Sequence, residues 1–141
     1  METVFSFVED DGTNIHINAG ALRLWCIENK PEIYSLPLNY DLMEIFERDN
    51  TISPERVEEL SKRKDLDPII MVKDGTLGSN GHPNAIIVDG HHRYALACLR
   101  GQQYIEGYFL EEAQWRRFQI FGLPDITAEQ LRKSPVTKRD Y

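Results

Sequence analysis

The sequence predicts a single compact α+β domain, a small mixed β-sheet with flanking helices, centred on a strand, turn and helix at residues 85–101. Three observations carry that expectation. A chain of 141 residues is long enough to bury one core without metals or disulfides. Short β-rich runs alternate with stretches of helical periodicity along its length. And "AIIVDGHHRYALACLRG" passes from a continuous apolar run, through Asp-Gly, into the spacing of a helix.

Taken in order, "TVFSFV" and "TNIHI" flank the acidic turn "EDDG", an Asp-Gly hairpin signal. His16 alternates with Ile15 and Ile17 and is expected on the polar face of its strand. Apolar residues at 21, 22, 24, 25 and 27 predict a short helix that closes before Pro31. "EIYSLPLNYD" reads as extended, and Pro37, which cannot donate to a ladder, assigns it to an edge or a connection. Leu42, Ile45 and Phe46 mark one face of a helix. Ser53 as N-cap, Pro54 at the first helical position and Glu55 in the first turn start another, running to about Arg63.

"DPIIMVKDG" and "NAIIVDG" are predicted strands joined through the turn-rich "TLGSNGHP", whose His82 is expected to be exposed. In the helix that follows, Tyr94, Ala95, Cys98 and Leu99 share a face and Gly101 provides the stop. "QYIEGYFL" returns as a strand. "EEAQWRRFQIFG" is expected to be an amphipathic helix with Trp115, Phe118 and Phe121 in register, Trp115 inside and Arg116 and Arg117 outside. Thr127 and Gln130 form a capping signal for a last short helix. The single domain thus divides into a motif core at 51–110, an N-terminal hairpin and helix extension at 1–50, and a C-terminal helical tail at 111–141.

Charge and composition narrow the function. A net charge of −7 counts against non-specific nucleic-acid binding, which depends on Lys and Arg along an extended surface. The opening "METVFSFVEDDG" does not read as a secretory signal, and no apolar run approaches bilayer length. The two cysteines, Cys26 and Cys98, fit no metal-ligand spacing, so reduced thiols, a cytoplasmic chain and no structural zinc are expected.

The concentration of Asp89, Gly90, His91, His92 and Arg93 at one turn is the strongest functional signal. The first N–H groups of a helix lack intrahelical acceptors and carry the positive end of its dipole, so they receive phosphate or carboxylate. Gly90 lets backbone approach closely, while His91, His92 and Arg93 are placed to donate to anion oxygens. Asp89 suits a metal such as Mg²⁺, a proton, or an imidazole tautomer. An ordinary polar turn is the competing reading, and the number of such groups together favours a nucleotide polyphosphate with a metal.

The run "DPIIMVKDG…AIIVDGHHRYALACLRGQQYIEGYF" resembles the ParB/sulfiredoxin-like superfamily, best over residues 68–109, with "ISPERVEEL" falling where such domains carry a helix. The resemblance implies a strand, turn and helix around nucleotide phosphates. His91 stands where sulfiredoxin has its cysteine, which argues against sulfinic acid repair, whereas His92 and Arg93 match the phosphate-holding pair. The turn is most similar to the D-G-H-x-R of the free serine kinases in Asp89, Gly90, His91 and Arg93. That similarity implies a base from the upstream helix, for which Glu55, Glu58 and Glu59 are candidates. The expected catalytic set is therefore Asp89, His91 and Glu59, the nucleotide-binding set Gly90, His91, His92 and Arg93, and the metal ligand Asp89.

The function expected is binding of ATP, ADP or CTP, with Mg²⁺-dependent phosphoryl transfer or hydrolysis toward a small-molecule or protein hydroxyl. A non-catalytic nucleotide-binding regulatory module is the alternative, with a homodimer or another protein as partner. A ParB-like DNA-binding or nuclease domain ranks third, because the chain is acidic and ends too soon after the motif for a helix-turn-helix region.

Overall fold

The computed structural model describes residues 4–9, 12–48, 50–74 and 84–123. Within them, β1 (Val4–Val8) and β2 (Asn14–Asn18) form the expected antiparallel hairpin, and α1 (Ala19–Asn29) follows directly. The Asn18 side chain caps α1 by accepting from the Ala21 N–H at 3.0 Å. Next come β3 (Ile33–Pro37), α2 (Leu42–Arg48) and α3 (Pro54–Ser61), the last capped by Ser53 with Pro54 in its first turn. Then follow β4 (Ile69–Asp74), β5 (Asn84–Asp89), α4 (His91–Leu99) and β6 (Tyr104–Leu110). A single helical turn, α5 (Glu112–Trp115), leads through a 3-10 turn at Arg116–Phe118 into a two-residue strand, β7 (Gln119–Ile120).

The strands make two sheets, ordered β1-β2-β7 and β3-β6-β4-β5. In the larger sheet only β4 and β6 are parallel. Pro37 lies on β3, an edge strand, where its missing N–H costs no ladder bond. Alternation along the central strands separates two apolar layers. Ile70, Val72, Val88 and Leu110 face α1 and the small sheet, packing with Leu22, Cys26, Ile17 and Trp115. Ile69 and Ile87 face the other way, toward Phe46 of α2 and Tyr94 and Cys98 of α4. Val57 and Leu60 of α3 close over Ala95 and Leu96 of α4.

His16 lies, as expected, on the polar face of β2, shared with Asn14 and Asn18 and opposite the core residues Ile15 and Ile17; it is 6 % exposed there, with Nδ1 2.7 Å from Ser6 Oγ. Two local expectations are corrected. Leu99 is 68 % exposed, because α4 ends there, while Leu96 and Ala97 are buried instead. The amphipathic helix expected over 111–122 is one turn only. Trp115 is locked into the core with its indole N–H donating to the Lys73 carbonyl at 2.7 Å, and Gln119 and Ile120 then pair with β2, leaving Phe121 exposed. His82 and the Thr127–Gln130 capping signal lie outside the described residues.

Candidate functional site

A β-bulge prepares the turn. Met71 pairs with Ile87 but Ile70 pairs with Asp89, so β5 advances two residues while β4 advances one. Val88 is the extra residue, and the shift turns Asp89 to the same face as Ile70, the face covered by α1. Gly90 then reverses the chain with φ at 107° and forms the N-cap of α4. A Cβ at this position would stand 2.5 Å from Ile69 Cγ2 and 2.8 Å from Ile69 Cβ, so both conformation and space require glycine. Having no side chain, Gly90 gives α4 no side-chain cap of its own.

The next residues divide by direction. His91 is half-buried, its ring 5.8 Å from that of Phe5 on β1 and 5.5 Å from that of Phe46 on α2. The following three side chains turn inward, each fastening a different part of the backbone. His92 is fully buried and accepts at Nε2 from the Ser53 N–H at 3.0 Å. Arg93, 2 % exposed, donates to the carbonyls of Asp67 at 2.7 Å and Pro68 at 2.9 Å and to Asp89 Oδ2 at 3.0 Å. The Tyr94 hydroxyl accepts from the Asn39 N–H at 2.7 Å. The first turn of α4 is thus a hub that holds the starts of α3 and β4 and the end of β3 against the β5–α4 turn.

This sorts the residues singled out from the sequence. Asp89, Gly90, His91, His92 and Arg93 are contiguous, but His92 Nε2 and both terminal nitrogens of Arg93 hydrogen-bond within the fold, while Arg93 Nε is buried without a partner. Breaking such a buried ion pair from one side generally costs about 3–5 kcal/mol, so Arg93 is not poised to swing outward. Glu59 is placed one turn along α3, exposed, with Oε2 3.2 Å from Arg56 Nη1. Glu58 is exposed on the same helix. Glu55 is the carboxylate connected to the hub: its Oε2 accepts from the Ser53 hydroxyl at 2.9 Å, and Ser53 in turn donates its N–H to His92. Backbone and Ser53 hydrogen bonds hold the Glu55 carboxyl below the usual carboxylate range.

The participant missed from the sequence is Arg23 of α1. Its Nε is 3.9 Å from Asp89 Oδ2 and its Nη2 is 3.4 Å from Asp67 Oδ2. It overlooks a depression of about 50 Å³ between α1 and the larger sheet, walled also by Asp67 and Asp89 and floored by Cys26, Ile70 and Tyr108. That is far below the roughly 300–1,000 Å³ of pockets that enclose a small molecule, so the depression has room for one small polar group. Burial and then the neighbouring Asp89 carboxylate push the Cys26 thiol up to about 12, so it is a neutral packing group. No short-range sequence signal marks Arg23, because the bulge and the packing of α1 together bring it to Asp89.

Among the described residues, no group of three or more His, Cys, Asp and Glu is placed to hold a metal, and no helix is long and apolar enough to cross a membrane. No protein-family model, curated protein or solved structure matches the chain.

Proposed function

We propose that the chain binds the phosphate groups of a nucleotide, ATP, ADP or CTP, at the β5–α4 turn. The observation that carries this reading is Gly90. A glycine required by both φ and steric contact begins a nine-residue helix without a side-chain cap, beside the half-buried imidazole of His91. The first turn of such a helix carries the positive end of its dipole, which phosphate favours. Half-buried His91 is the ligand-facing member of the motif in this reading, and Gly90, buried against Ile69, together with His92 and Arg93, is its frame.

Mg²⁺ fits this turn only as a partner of the nucleotide. Asp89, whose Oδ2 already accepts from Arg93, belongs to no group of three or more metal-ligating side chains among the described residues, so phosphate oxygens and water would supply the other ligands. Binding therefore ranks ahead of phosphoryl transfer. The transfer reading draws its support from the Glu55–Ser53–His92 chain, which joins the start of α3 to the start of α4 and makes Glu55 the better-placed base. The acceptor would then be a small hydroxyl compound or a protein hydroxyl.

The test is thermal unfolding of the purified chain with ATP, ADP and CTP, each with and without Mg²⁺. A ligand at a hundred times its Kd stabilises the native state by about 2.7 kcal/mol, a clear rise in Tm. His91→Ala is expected to reduce that rise. No shift with any of the nucleotides in either condition would overturn the proposal.

A further inference from the structure

We infer that β3 is the edge through which two copies of this chain pair, strand to strand and antiparallel. The hydrogen bonds of β3 decide which backbone groups it has to offer. It runs antiparallel to β6 in one unbroken register, from Ile33 opposite Tyr108 to Pro37 opposite Tyr104. In the next pair of that register the Leu38 N–H donates to the Gln103 carbonyl at 3.0 Å. Bonded and non-bonded pairs alternate in such a ladder, so Leu36 and Tyr34 also bond to β6, while Ile33, Ser35 and Pro37 turn their backbone groups outward. Among the described residues β3 pairs with β6 alone, and the outward groups form a bare edge.

Exposed edges are ordinarily blunted by charge, by a bulge or by a covering element. The five residues of β3 are uncharged and in continuous register, and all but Leu36 are exposed, Ile33 by 47 % and Tyr34 by 45 %. The opposite edge of the same sheet, β5, carries a bulge. A second copy completes the β3 edge when a two-fold axis passes through Tyr34. Ile33 then meets the second copy's Ser35, Ser35 meets its Ile33, and each pair exchanges both hydrogen bonds. Pro37 meets Pro31 of the second copy, and because neither has an N–H the ladder stops there at both ends. Moving the axis to Ser35 would set Ile33 against Pro37, which has no N–H to return. The two Tyr34 rings face each other in a close non-bonded pair, where aromatic side chains interact across strands. Charge suits this partner too: each copy carries −7, yet the contact strand is neutral and the adjacent Glu32 falls opposite Leu36 rather than opposite its own equivalent. Two four-stranded sheets become one continuous sheet.

The experiment is sedimentation equilibrium of the full chain over a roughly hundredfold concentration range, where a contact of small area is expected to give a weak, concentration-dependent dimer. Ser35→Pro removes an outward N–H and spares the bonds to β6, so it is expected to weaken dimerisation by about tenfold or more with Tm close to wild type. Tyr34→Lys sets like charges against each other on the axis and is expected to act in the same direction, serving as the readout should Ser35→Pro fail to fold. Tyr34→Cys reads the register. With glutathione disulfide as oxidant, the introduced thiols are expected to link two chains, and the buried Cys26 and Cys98 do not compete. A wild-type chain that is monomeric throughout overturns the proposal and leaves the edge to a different chain or to none. A dimer unaffected by the folded variants at positions 34 and 35 overturns the role of β3. A dimer in which Tyr34→Cys forms no covalent link overturns the register. The nucleotide-binding reading is untouched by each of these outcomes.

Discussion

The Nε2 atom of His92 accepts a hydrogen bond from the backbone N–H of Ser53, 39 positions earlier, at 3.0 Å inside a fully buried site. The imidazole is therefore an acceptor at Nε2, and replacing it removes both the acceptor and the volume. His92→Ala is expected to lower unfolding free energy by about 2–4 kcal/mol in urea titrations. A loss within about 0.5 kcal/mol, as for ordinary surface positions, would contradict the hub.

Gly90 and Gly101 both have positive φ, at 107° and 70°, but only Gly90 is sterically enclosed. Gly101→Ala meets nothing within 4 Å, so it should cost about 1–2 kcal/mol from backbone conformation alone. Gly90→Ala must also displace Ile69 and is expected to cost about 3 kcal/mol or more. Equal effects of the two substitutions in denaturant would show that the enclosure of Gly90 is unimportant.

Arg93 and Asp89 should be strongly coupled. Arg93→Met leaves Asp89 without its 3.0 Å partner and two carbonyls without donors, for an expected loss of about 3–5 kcal/mol. In a double-mutant cycle with Asp89→Asn, a coupling of about 1–3 kcal/mol is expected. Additive effects would mean that the pair contributes no mutual stabilisation.

Stability should fall at alkaline pH. The Cys26 thiol is raised to about 12 in the fold from an ordinary value of 9.0, so the folded state holds its proton more firmly than the unfolded chain. The associated stability is complete below pH 9 and is lost as pH rises toward 12. Burial raises the Cys98 thiol and the Tyr94 and Tyr108 phenols in the same direction. Urea midpoints between pH 8 and 10.5 should therefore decline, less steeply in Cys26→Ala. Native Cys26 should also react with a thiol reagent at pH 8 far more slowly than in the unfolded chain.

If phosphoryl transfer accompanies binding, Glu55→Gln should reduce turnover by about 10²–10⁴-fold, the usual contribution of a positioned base. Glu59→Gln should change it little, since Glu59 pairs with Arg56 at 3.2 Å on an exposed face. Measuring γ-phosphate transfer to a panel of small hydroxyl acceptors decides between them. A larger effect at Glu59 would reverse the assignment.

Local chemistry made much of the fold legible. The Asp-Gly hairpin, the Ser53-Pro54 helix start, the edge position of Pro37 and the passage from strand to helix at Asp89-Gly90 each have a short-range cause. Residues 111–120 were not legible because their structure depends on distant partners: Lys73 for the Trp115 indole and β2 for Gln119 and Ile120. The same holds at the candidate site. Composition marked the motif, but not that His92 and Arg93 point inward. The bulge at Val88 and the approach of Arg23 to Asp89 arise from sheet register and helix packing, which no local pattern in the sequence records.

The hub also bears on the order of assembly. Hydrogen bonds from His92, Arg93 and Tyr94 close chain separations of 39, 26 and 55 residues, so the turn cannot acquire its shape while those connections are still open. Non-local closures of this kind slow folding and are completed along with the global fold. A partly folded chain would accordingly lack the finished turn at which phosphate binding is proposed, and any such binding would begin only once the three connections were fastened.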